Sequence, residues 1–175
     1  KMLVRCSVYD VCRETVHDLL SKDRENTLEI KEAEATGVYV QGLTEILVTT
    51  AQTALRVWKK GKKNHDDRDI RMSRCNTVFT LTVETATFSR GEMKLRQGKL
   101  TFVKLSGSER QSRTEAETTK DPSCATTLSF GNRNAMGNVI SVLASGKGGH
   151  IPYRDSKITR LLQGSLGGNA KLVWC

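Results

Sequence analysis

The sequence predicts an α/β protein of 175 residues that forms one domain. Segments such as "GVYVQGLTEILV" (37–48) and "TVFTLTVETATF" (77–88) alternate apolar and polar residues, as half-buried strands do. Segments such as "AMGNVISVLAS" (135–145) instead place apolar residues on one face of a helix. Strands that alternate with helices along one chain favour the α/β class, and the length suffices for a sizeable core.

The first third of the chain is predicted to be mostly strand. The β-branched character of "MLVRCSVYDV" (2–11) indicates a strand, and "LEIKE" (28–32) indicates another. Between them, "CRETVHDLLSKD" (12–23) carries Val16, Leu19 and Leu20, whose spacing suggests a short helical turn.

A helix is predicted to follow the strand at 37–48. Thr49 and Gln52 form a plausible capping box that opens a helix through "AQTALRVWKKG", and Gly61 is a natural stop after two lysines. The polar, aperiodic stretch "KKNHDDRDIRMSRCN" (62–76) is predicted to be a loop.

The second half of the chain predicts a hairpin and then helices. A turn over "SRGEMKLRQG" (89–98) would join the strand at 77–88 to "KLTFVKL" (99–105) as an antiparallel pair, and 107–125 reads as a loop. A helix is predicted over about 133–146 with Gly146 as its stop, and Ser156 can cap "KITRLLQ", which would end at Gly164. The final "KLVWC" resembles a strand.

The charge of the chain favours an anionic partner. The net charge is +9, from 28 basic and 19 acidic residues, which suits nucleic acid, an anionic membrane or an acidic protein surface. Aromatic residues make up only 5% of the chain, which weakens binding modes that stack bases. A merely solvated basic surface is the alternative.

Hydropathy and cysteine content bound the compartment. No apolar run approaches the roughly 20 residues that span a bilayer, and the N-terminal residues do not resemble a signal peptide. The cysteines number five and form no C-x-x-C pair, so the expectation is a reduced, intracellular protein with no zinc or other metal site.

The most distinctive segment is "YRDSKITRLLQGSLGGNAK" (153–171). It carries Arg154, Lys157 and Arg160 at i, i+3 and i+6 around a predicted helix start, after Lys147 and His150 in a glycine-rich loop. Such spacing brings the cations to one surface, where they can bind carboxylates. An ordinary solvated helix face is the alternative explanation.

Several stretches resemble the kinesin motor domain. "GVYVQGLTE", "GKLTFVKLSGSER", "GNVISVLASGK" and "HIPYRDSKITRLLQGSLGGNAK" are similar to successive signatures of that family, in the family's order. "SVYDVCRETVHDLL" resembles its segment that ends in D-L-L, and "LEIKE" and "SGSERQS" lean toward the kinesin-2 branch. The likeness is poor only at roughly 113–133. It implies a partial P-loop NTPase motor fold over 1–175, incomplete at both ends, with helices flanking a central mixed sheet.

The resemblance identifies two nucleotide-switch remnants. The family's switch I pattern S-S-R-S-H matches "MSRCN" (72–76), where Ser73 and Arg74 are kept. Its switch II pattern D-L-A-G-S-E matches "KLSGSE" (104–109), where Gly107 and Glu109 are kept. In the family the switch I arginine pairs with the switch II glutamate, so Arg74 and Glu109 are expected to do so, unless they are unrelated surface charges.

Two departures from the family pattern concern ATP and Mg²⁺, the cofactors that the resemblance implies. No G-x-x-x-x-G-K-[ST] motif occurs, so the phosphate-binding loop and its strand–helix unit are missing from this sequence. Lys104 replaces the acidic residue that helps hold the water shell of Mg²⁺. Since phosphoryl transfer depends on positioning and on charge neutralisation, ATP hydrolysis by this chain is expected to be lost, and no residue is assigned as catalytic.

The segment that matches the family's track-binding face is better kept. The resemblance implies that the loop and helix from Lys147 to Arg160 contact the acidic surface of tubulin, with the hairpin at "GVYVQGLTE" adding contacts. The microtubule-binding candidates are Lys147, His150, Arg154, Lys157 and Arg160. Microtubules are therefore the expected partner and the cytoplasmic cytoskeleton the expected location, with no nucleic-acid or membrane partner.

Three functional hypotheses stay open on the sequence. The first is a motor-domain fragment that keeps a microtubule-facing surface, and the second is a non-catalytic microtubule-binding or regulatory protein. The third is a degenerate product without a settled fold, since a sheet that lacks several strands exposes edges and apolar surface. Direction of movement, cargo and oligomeric state are not encoded in these residues, which contain no heptad repeat.

Overall fold

The protein is a layered α/β structure with helices on both faces of one sheet. A computed structural model describes residues 2–23, 26–34, 36–67, 75–89, 92–105, 125–146, 149–167 and 169–173, with side chains of the 125–146 helix described from 135 onward. The strands are β1 Met2–Cys12, β2 Thr15–Asp18, β3 Thr27–Leu28, β4 Ile30–Ala33, β5 Gly37–Val40, β6 Ile46–Val48, β7 Asn76–Ser89 and β8 Glu92–Lys104. The helices are α1 Ala51–Asp66, α2 Ala125–Ser145, α3 Lys157–Leu161 and α4 Gln163–Leu166.

The main sheet has the strand order β3-β2-β1-β7-β8, and β6 also pairs with β1. A separate hairpin joins β4 and β5, with Glu32 opposite Val38. The α/β class predicted from the sequence is confirmed, and every pairing between the described strands is antiparallel. The predicted antiparallel pair of strands at 77–88 and 99–105 is also confirmed, as β7 and β8, in register from Thr77↔Lys104 to Ser89↔Glu92. The predicted turn over 89–98 is wrong for residues 92–98, because they extend β8 and pair with β7.

The expectation of a helical turn at 12–23 is wrong, because β2 occupies residues 15–18 and pairs back onto β1. Arg13 and Glu14 adopt positive φ angles of 47° and 58°, which close a tight hairpin. Neither position is the glycine that such a turn usually favours, so the sequence did not indicate the turn. The Asp18 carboxylate ends the strand by accepting hydrogen bonds from the backbone amides of Leu20 and Thr44, at 2.8 Å each. Strand pairing therefore overrides the local helical spacing.

Helix α1 differs at both ends from its prediction. Its N-cap is Thr50, not Thr49, and the Thr50 hydroxyl accepts a hydrogen bond from the Thr53 amide at 3.2 Å. The helix also continues through Gly61 to Asp66. Gly61 serves close packing: a Cβ at this position would lie 2.6 Å from Cγ1 of Val8. The glycine was therefore misread as a stop signal.

Two cores lie on opposite faces of the sheet because side chains alternate along β1. The α1 face buries the apolar residues Cys6, Val8, Leu19, Leu20, Val48 and Val57. The other face, covered by α2 and α3, buries Tyr9, Val11, Val16, Val78, Met136, Ile158 and Leu162. Each face thus has its own apolar cluster beneath its helices.

The C-terminal helices partly follow the predictions. Helix α2 begins at Ala125 and not near 133, so its predicted start is wrong. It is followed by Gly146, whose φ of +61° is the left-handed conformation expected of a helix stop, and Ser156 caps α3 as predicted. The chain continues past Gly164 as the short helix α4, so Gly164 does not end the helical region. Residues 171–173 are not in a strand, which corrects that prediction for the described part of the segment. No described helix has the length and apolar character needed to cross a membrane.

The cysteines differ from the expectation of a fully reduced protein. Cys12 and Cys75 form a disulfide between the end of β1 and the residue before β7, with Cα atoms 4.6 Å apart. The register explains the pair, because Val11 lies opposite Asn76 and the next positions face each other. Cys6 is a buried free thiol, and its burial raises its pKa.

Candidate functional site

The segment that carries Arg154, Lys157 and Arg160 is fixed by its own capping hydrogen bonds. Ser156 is buried, and its hydroxyl accepts a hydrogen bond from the Thr159 amide at 3.2 Å. The Thr159 hydroxyl lies 2.8 Å from the carbonyl oxygen of Tyr153 and donates to it. Ile158 is fully buried in the core beneath α2. Lys157 and Arg160 therefore project from a short helix that is anchored from below, and Arg154 lies in the 3-10 turn Tyr153–Asp155 that leads into it.

A second anchor comes from the β1–β2 turn. The Glu14 carboxylate accepts a hydrogen bond from the backbone amide of Lys157 at 2.6 Å. This amide is one of those that a helix N-terminus leaves without an intrahelical partner, and a carboxylate there is also favoured by the helix dipole. Glu14 thus ties the start of α3 to the sheet. Glu14 was not among the predicted site residues, because no local sequence pattern indicates its contact with Lys157.

The cations converge on one carboxylate of the β4–β5 hairpin. Arg154 Nη2 lies 3.6 Å and Arg160 Nη2 lies 3.9 Å from Oε2 of Glu32. His150 is exposed and lines a cleft of about 350 Å³ together with Glu32, Tyr153 and Arg154. Two of the predicted residues, Arg154 and Arg160, therefore flank one acidic residue, and His150 lines the same cleft. Lys157 is half-buried at the start of α3. Lys147 lies outside the described residues.

The nucleotide-switch residues are described only in part. Ser73, Arg74, Gly107 and Glu109 lie outside the described residues, as does their expected ion pair. Lys104 is described: it is the last residue of β8, it is exposed, and it pairs with Thr77, which in turn pairs with Asp10. Lys104 therefore stands at the end of the sheet where switch II would begin.

A buried His–Asp pair lies on the α1 face of the sheet. His65 Nδ1 of α1 is 2.7 Å from Oδ2 of Asp10, and the Asp10 side chain is fully buried. Next to it, Asn64 donates a hydrogen bond to the carbonyl oxygen of Leu19 at 2.6 Å. These contacts fix the end of α1 to β1 immediately before residues 68–74. The sequence analysis missed the pair because it assigned His65 to a loop.

The described residues do not fit Mg²⁺ and ATP, the cofactors that the family resemblance implies. By the family resemblance, Lys104 would place a cation where a metal's water shell needs an acceptor. The nearby Asp10 carboxylate is fully buried and directed at His65. Within the described ranges, no cluster of three or more His, Cys, Asp or Glu side chains is placed to hold a metal ion. No catalytic step is therefore derived through either group.

A wide apolar groove lies between α1 and the β7–β8 end of the sheet. Its volume is about 910 Å³. Among the side chains that line it are Leu55 and Trp58 from α1 and Phe79, Leu81 and Phe102 from the sheet. Leu55 is 57% exposed and Phe102 is 54% exposed. The described side chains that line the groove are mostly apolar and none of them is charged, so the groove does not suit a triphosphate.

The comparison with protein families assigns this fold. The family model described as kinesin motor domain matches residues 1–175. The chain therefore belongs to the kinesin motor-domain family, whose proteins are microtubule motors.

Curated relatives support the assignment and show how much of them the chain spans. Kinesin-like protein klp-20 of Caenorhabditis elegans is 44% identical over 176 residues, which cover 98% of this chain and 26% of klp-20. Kinesin-like protein KIF3C of Rattus norvegicus, a kinesin-2 protein, is 37% identical over 200 residues, covering 98% of this chain and 25% of KIF3C. The chain thus spans about a quarter of the length of these relatives, and the predicted kinesin-2 resemblance is confirmed.

A solved structure confirms the partial motor fold. The structure of a fast kinesin, described for its ATPase mechanism and its interactions with microtubules, superposes with a TM-score of 0.77 at 34% identity. The match covers 97% of this chain and 48% of that one. The described architecture is therefore about half of a kinesin-type motor fold.

Proposed function

We propose that residues 1–175 form a single, partial motor domain that does not hydrolyse ATP by itself. It binds microtubules through the basic segment 147–160, in which the described candidate residues lie at 150–160. The observation that carries this proposal is the way the segment is built. Its cations lie on helix α3 and in the turn before it, and the cap, first amide and underside of α3 are all bonded or buried within this chain. A surface held in this way needs no nucleotide to be formed.

The charge of the surface suits an acidic protein partner. Arg154 is 76% exposed and Arg160 is 32% exposed, so both guanidinium groups can reach a docking carboxylate. Exposed charges of one sign accelerate encounter with a surface of the opposite sign, and a net charge of +9 adds to this attraction. The related fast kinesin is described for its interactions with microtubules, which makes tubulin the partner proposed here.

The residues expected at the nucleotide site support the proposal that this chain does not hydrolyse ATP. Phosphoryl transfer requires a phosphate cradle and a coordinated metal ion. The sequence contains no P-loop motif, and Lys104 stands where the family pattern has an acid. We accordingly propose that the chain keeps only remnants of the two nucleotide switches and does not turn over ATP. These remnants are Ser73, Arg74, Gly107 and Glu109. The proposed location is the microtubule cytoskeleton of the cytoplasm, with no nucleic-acid or membrane partner.

A regulatory pseudo-motor is the second candidate. It has the same surface, and it differs in acting as a stable, non-moving microtubule ligand in its own right. The anchored α3 segment and the buried core beneath it favour this candidate over a degenerate product without a settled fold. A cooperative thermal transition would support it, and a broad one would favour the degenerate product.

Microtubule co-sedimentation tests the binding surface. Changing Arg154, Lys157 and Arg160 together to Ala removes three charges, and we expect microtubule affinity to fall about a hundredfold. The matched control changes Lys59, Lys60 and Lys63 to Ala, which removes three exposed charges from α1 on the other face of the sheet. Equal losses for the two triple variants would refute the assignment of the surface.

An ATPase assay tests the other half of the proposal. We expect the purified chain to release no phosphate above the buffer background, with or without saturating microtubules. The Lys104→Asp variant should remain equally inactive, because it restores the acidic residue but no phosphate cradle. Microtubule-stimulated turnover by the unaltered chain would contradict the proposal.

A further inference from the structure

The centre of the basic surface is occupied by an acidic side chain. Glu32 Oε2 lies 3.6 Å from Arg154 Nη2 and 3.9 Å from Arg160 Nη2, so two guanidinium groups flank one carboxylate oxygen. The Glu32 side chain is 45% exposed, and the residue also lines the cleft beside His150. Any anion that contacts both arginines must therefore approach this carboxylate.

The position of Glu32 is not explained by stability. Ion pairs between solvent-exposed side chains contribute little to folding, because water and salt screen them and because both side chains lose freedom. β4 is held by its pairing with β5, from Ile30↔Val40 to Ala33↔Gly37, and by Ile30 and Val40, which pack against the core. The hairpin has these apolar and backbone contacts whether or not Glu32 is charged.

The carboxylate affects two kinds of anionic ligand differently. A duplex nucleic acid carries one phosphate about every 3.4 Å along each strand, so a strand that follows the arginines brings several phosphates close to Glu32. A folded acidic protein carries separate carboxylates with neutral or cationic side chains between them. Such a surface can place one carboxylate on Arg154 and a hydrogen-bond donor opposite Glu32. Repulsion of one ligand class without loss of the other is a recognised source of specificity.

We propose that Glu32 is a specificity residue that excludes continuous polyanions from the basic 150–160 surface while admitting an acidic protein surface. The admitted partner is the acidic surface of tubulin, and this part of the inference rests on the proposed function. The exclusion of polyanions follows from the Arg154–Glu32–Arg160 arrangement alone. Such a residue would give a chain with a net charge of +9 a means to discriminate against nucleic acid.

The test measures two ligands with matched variants. Glu32→Gln removes the charge at nearly constant shape. Glu34→Gln is the matched control: it removes one negative charge from the same hairpin, at an exposed position that is not among the ion-paired residues of the described structure. A labelled 20-base-pair DNA duplex, followed by fluorescence anisotropy at fixed salt, should bind Glu32→Gln about fivefold to tenfold more tightly than the unaltered chain. Glu34→Gln should change duplex affinity less than about twofold.

The second measurement is microtubule co-sedimentation of the same proteins, where Glu32→Gln should give no gain in affinity and a loss of a few-fold at most, because a donor that faces Glu32 loses its charged acceptor. Adding Arg154→Ala to Glu32→Gln should abolish the gain in duplex affinity. Equal duplex binding by the two glutamine variants, or equal gains for duplex and microtubules in Glu32→Gln, would overturn the inference. If the unaltered chain does not bind microtubules at all, the proposed function fails, and the duplex measurements still decide the role of Glu32.

Discussion

Among the described residues, the two faces of the sheet differ in how fully helices cover their apolar side chains. On the α2–α3 face, the core around Ile158 is closed, and the segment above it is capped by Ser156 and Glu14. On the α1 face, an apolar groove of about 910 Å³ stays open, and Leu55 and Phe102 are more than half exposed. Among the described residues, the face that carries the basic surface is thus closed over its core, while the α1 face is not.

The difference shows which contacts hold each half of the motor fold. The α2–α3 face relies on apolar packing between helices and sheet. The α1 face combines a smaller cluster with polar and covalent links, namely the His65–Asp10 pair and the disulfide between Cys12 and Cys75. Variants on the two faces should therefore respond differently, and four predictions test this comparison.

The largest expected effect is that of the disulfide on the α1 face. The bond joins residues separated by 63 positions, and by loop entropy it contributes up to about 4 kcal/mol to the free energy of unfolding. A reductant should lower the melting temperature of the unaltered chain by on the order of 10 °C. The melting temperature of Cys12→Ser with Cys75→Ser should be equally low and should not respond to reductant. An unaltered chain that melts at the same temperature with and without reductant would contradict the prediction.

Truncation of apolar residues should distinguish the closed face from the open one. Ile158→Ala removes a fully buried side chain from the closed core and should cost about 3 kcal/mol of stability. Leu55→Ala acts on a side chain that is 57% exposed in the open groove, and it should cost less than about 1 kcal/mol. Urea denaturation measures both. Similar losses would mean that the two faces do not differ as described.

The contact between α1 and β1 should be sensitive to a single methyl group. Gly61→Ala places a Cβ within 2.6 Å of Val8, so we expect a loss of about 2 kcal/mol from overpacking. Gly137→Ala in α2, where a Cβ meets nothing within 4 Å, should be neutral or stabilising by about 0.5 kcal/mol. Adding Val8→Ala to Gly61→Ala should recover part of the loss. If Gly61→Ala melts like the unaltered chain, the close packing is wrong.

The smallest expected effect concerns the anchors of the basic segment. Ser156→Ala removes the cap of α3 and should cost about 1 kcal/mol, and Glu14→Gln should cost a similar amount because it weakens a charge-assisted hydrogen bond. Thr50→Ala, which removes the corresponding cap of α1, is the control of equal size. All three should lower stability alike, but only the first two should also lower microtubule affinity, by a few-fold. If all three variants bind microtubules with equal affinity, the two anchors of α3 do not contribute to binding and the prediction is wrong.

Much of the fold could be predicted from patterns that depend on neighbouring residues. The alternation in 77–88 predicted β7, the amphipathic spacing before Gly146 predicted α2, and Ser156 predicted the cap of α3. Periods and caps are set by local backbone geometry, so the sequence contains them directly. The family resemblance was likewise readable, because short ordered motifs survive where the overall likeness is modest.

Long-range pairings could not be predicted in this way. Val16, Leu19 and Leu20 have helical spacing, yet β2 forms because β1 offers it a pairing edge. Gly61 looks like a helix stop, and only the nearby Val8 shows that it is a packing glycine. Cys12 and Cys75 lie far apart in the chain, and the register of β1 with β7 brings them together.

The sequence by itself determined the family, the lysine at position 104 and the cations at Arg154, Lys157 and Arg160, since these are identities and spacings along one chain. Only the tertiary structure decided that Glu14 holds the first amide of α3 and that Glu32 stands between two of those cations. Both acids belong to hairpins distant in sequence from the basic segment. Their positions follow from strand pairing and packing over the whole sheet, which no local pattern specifies.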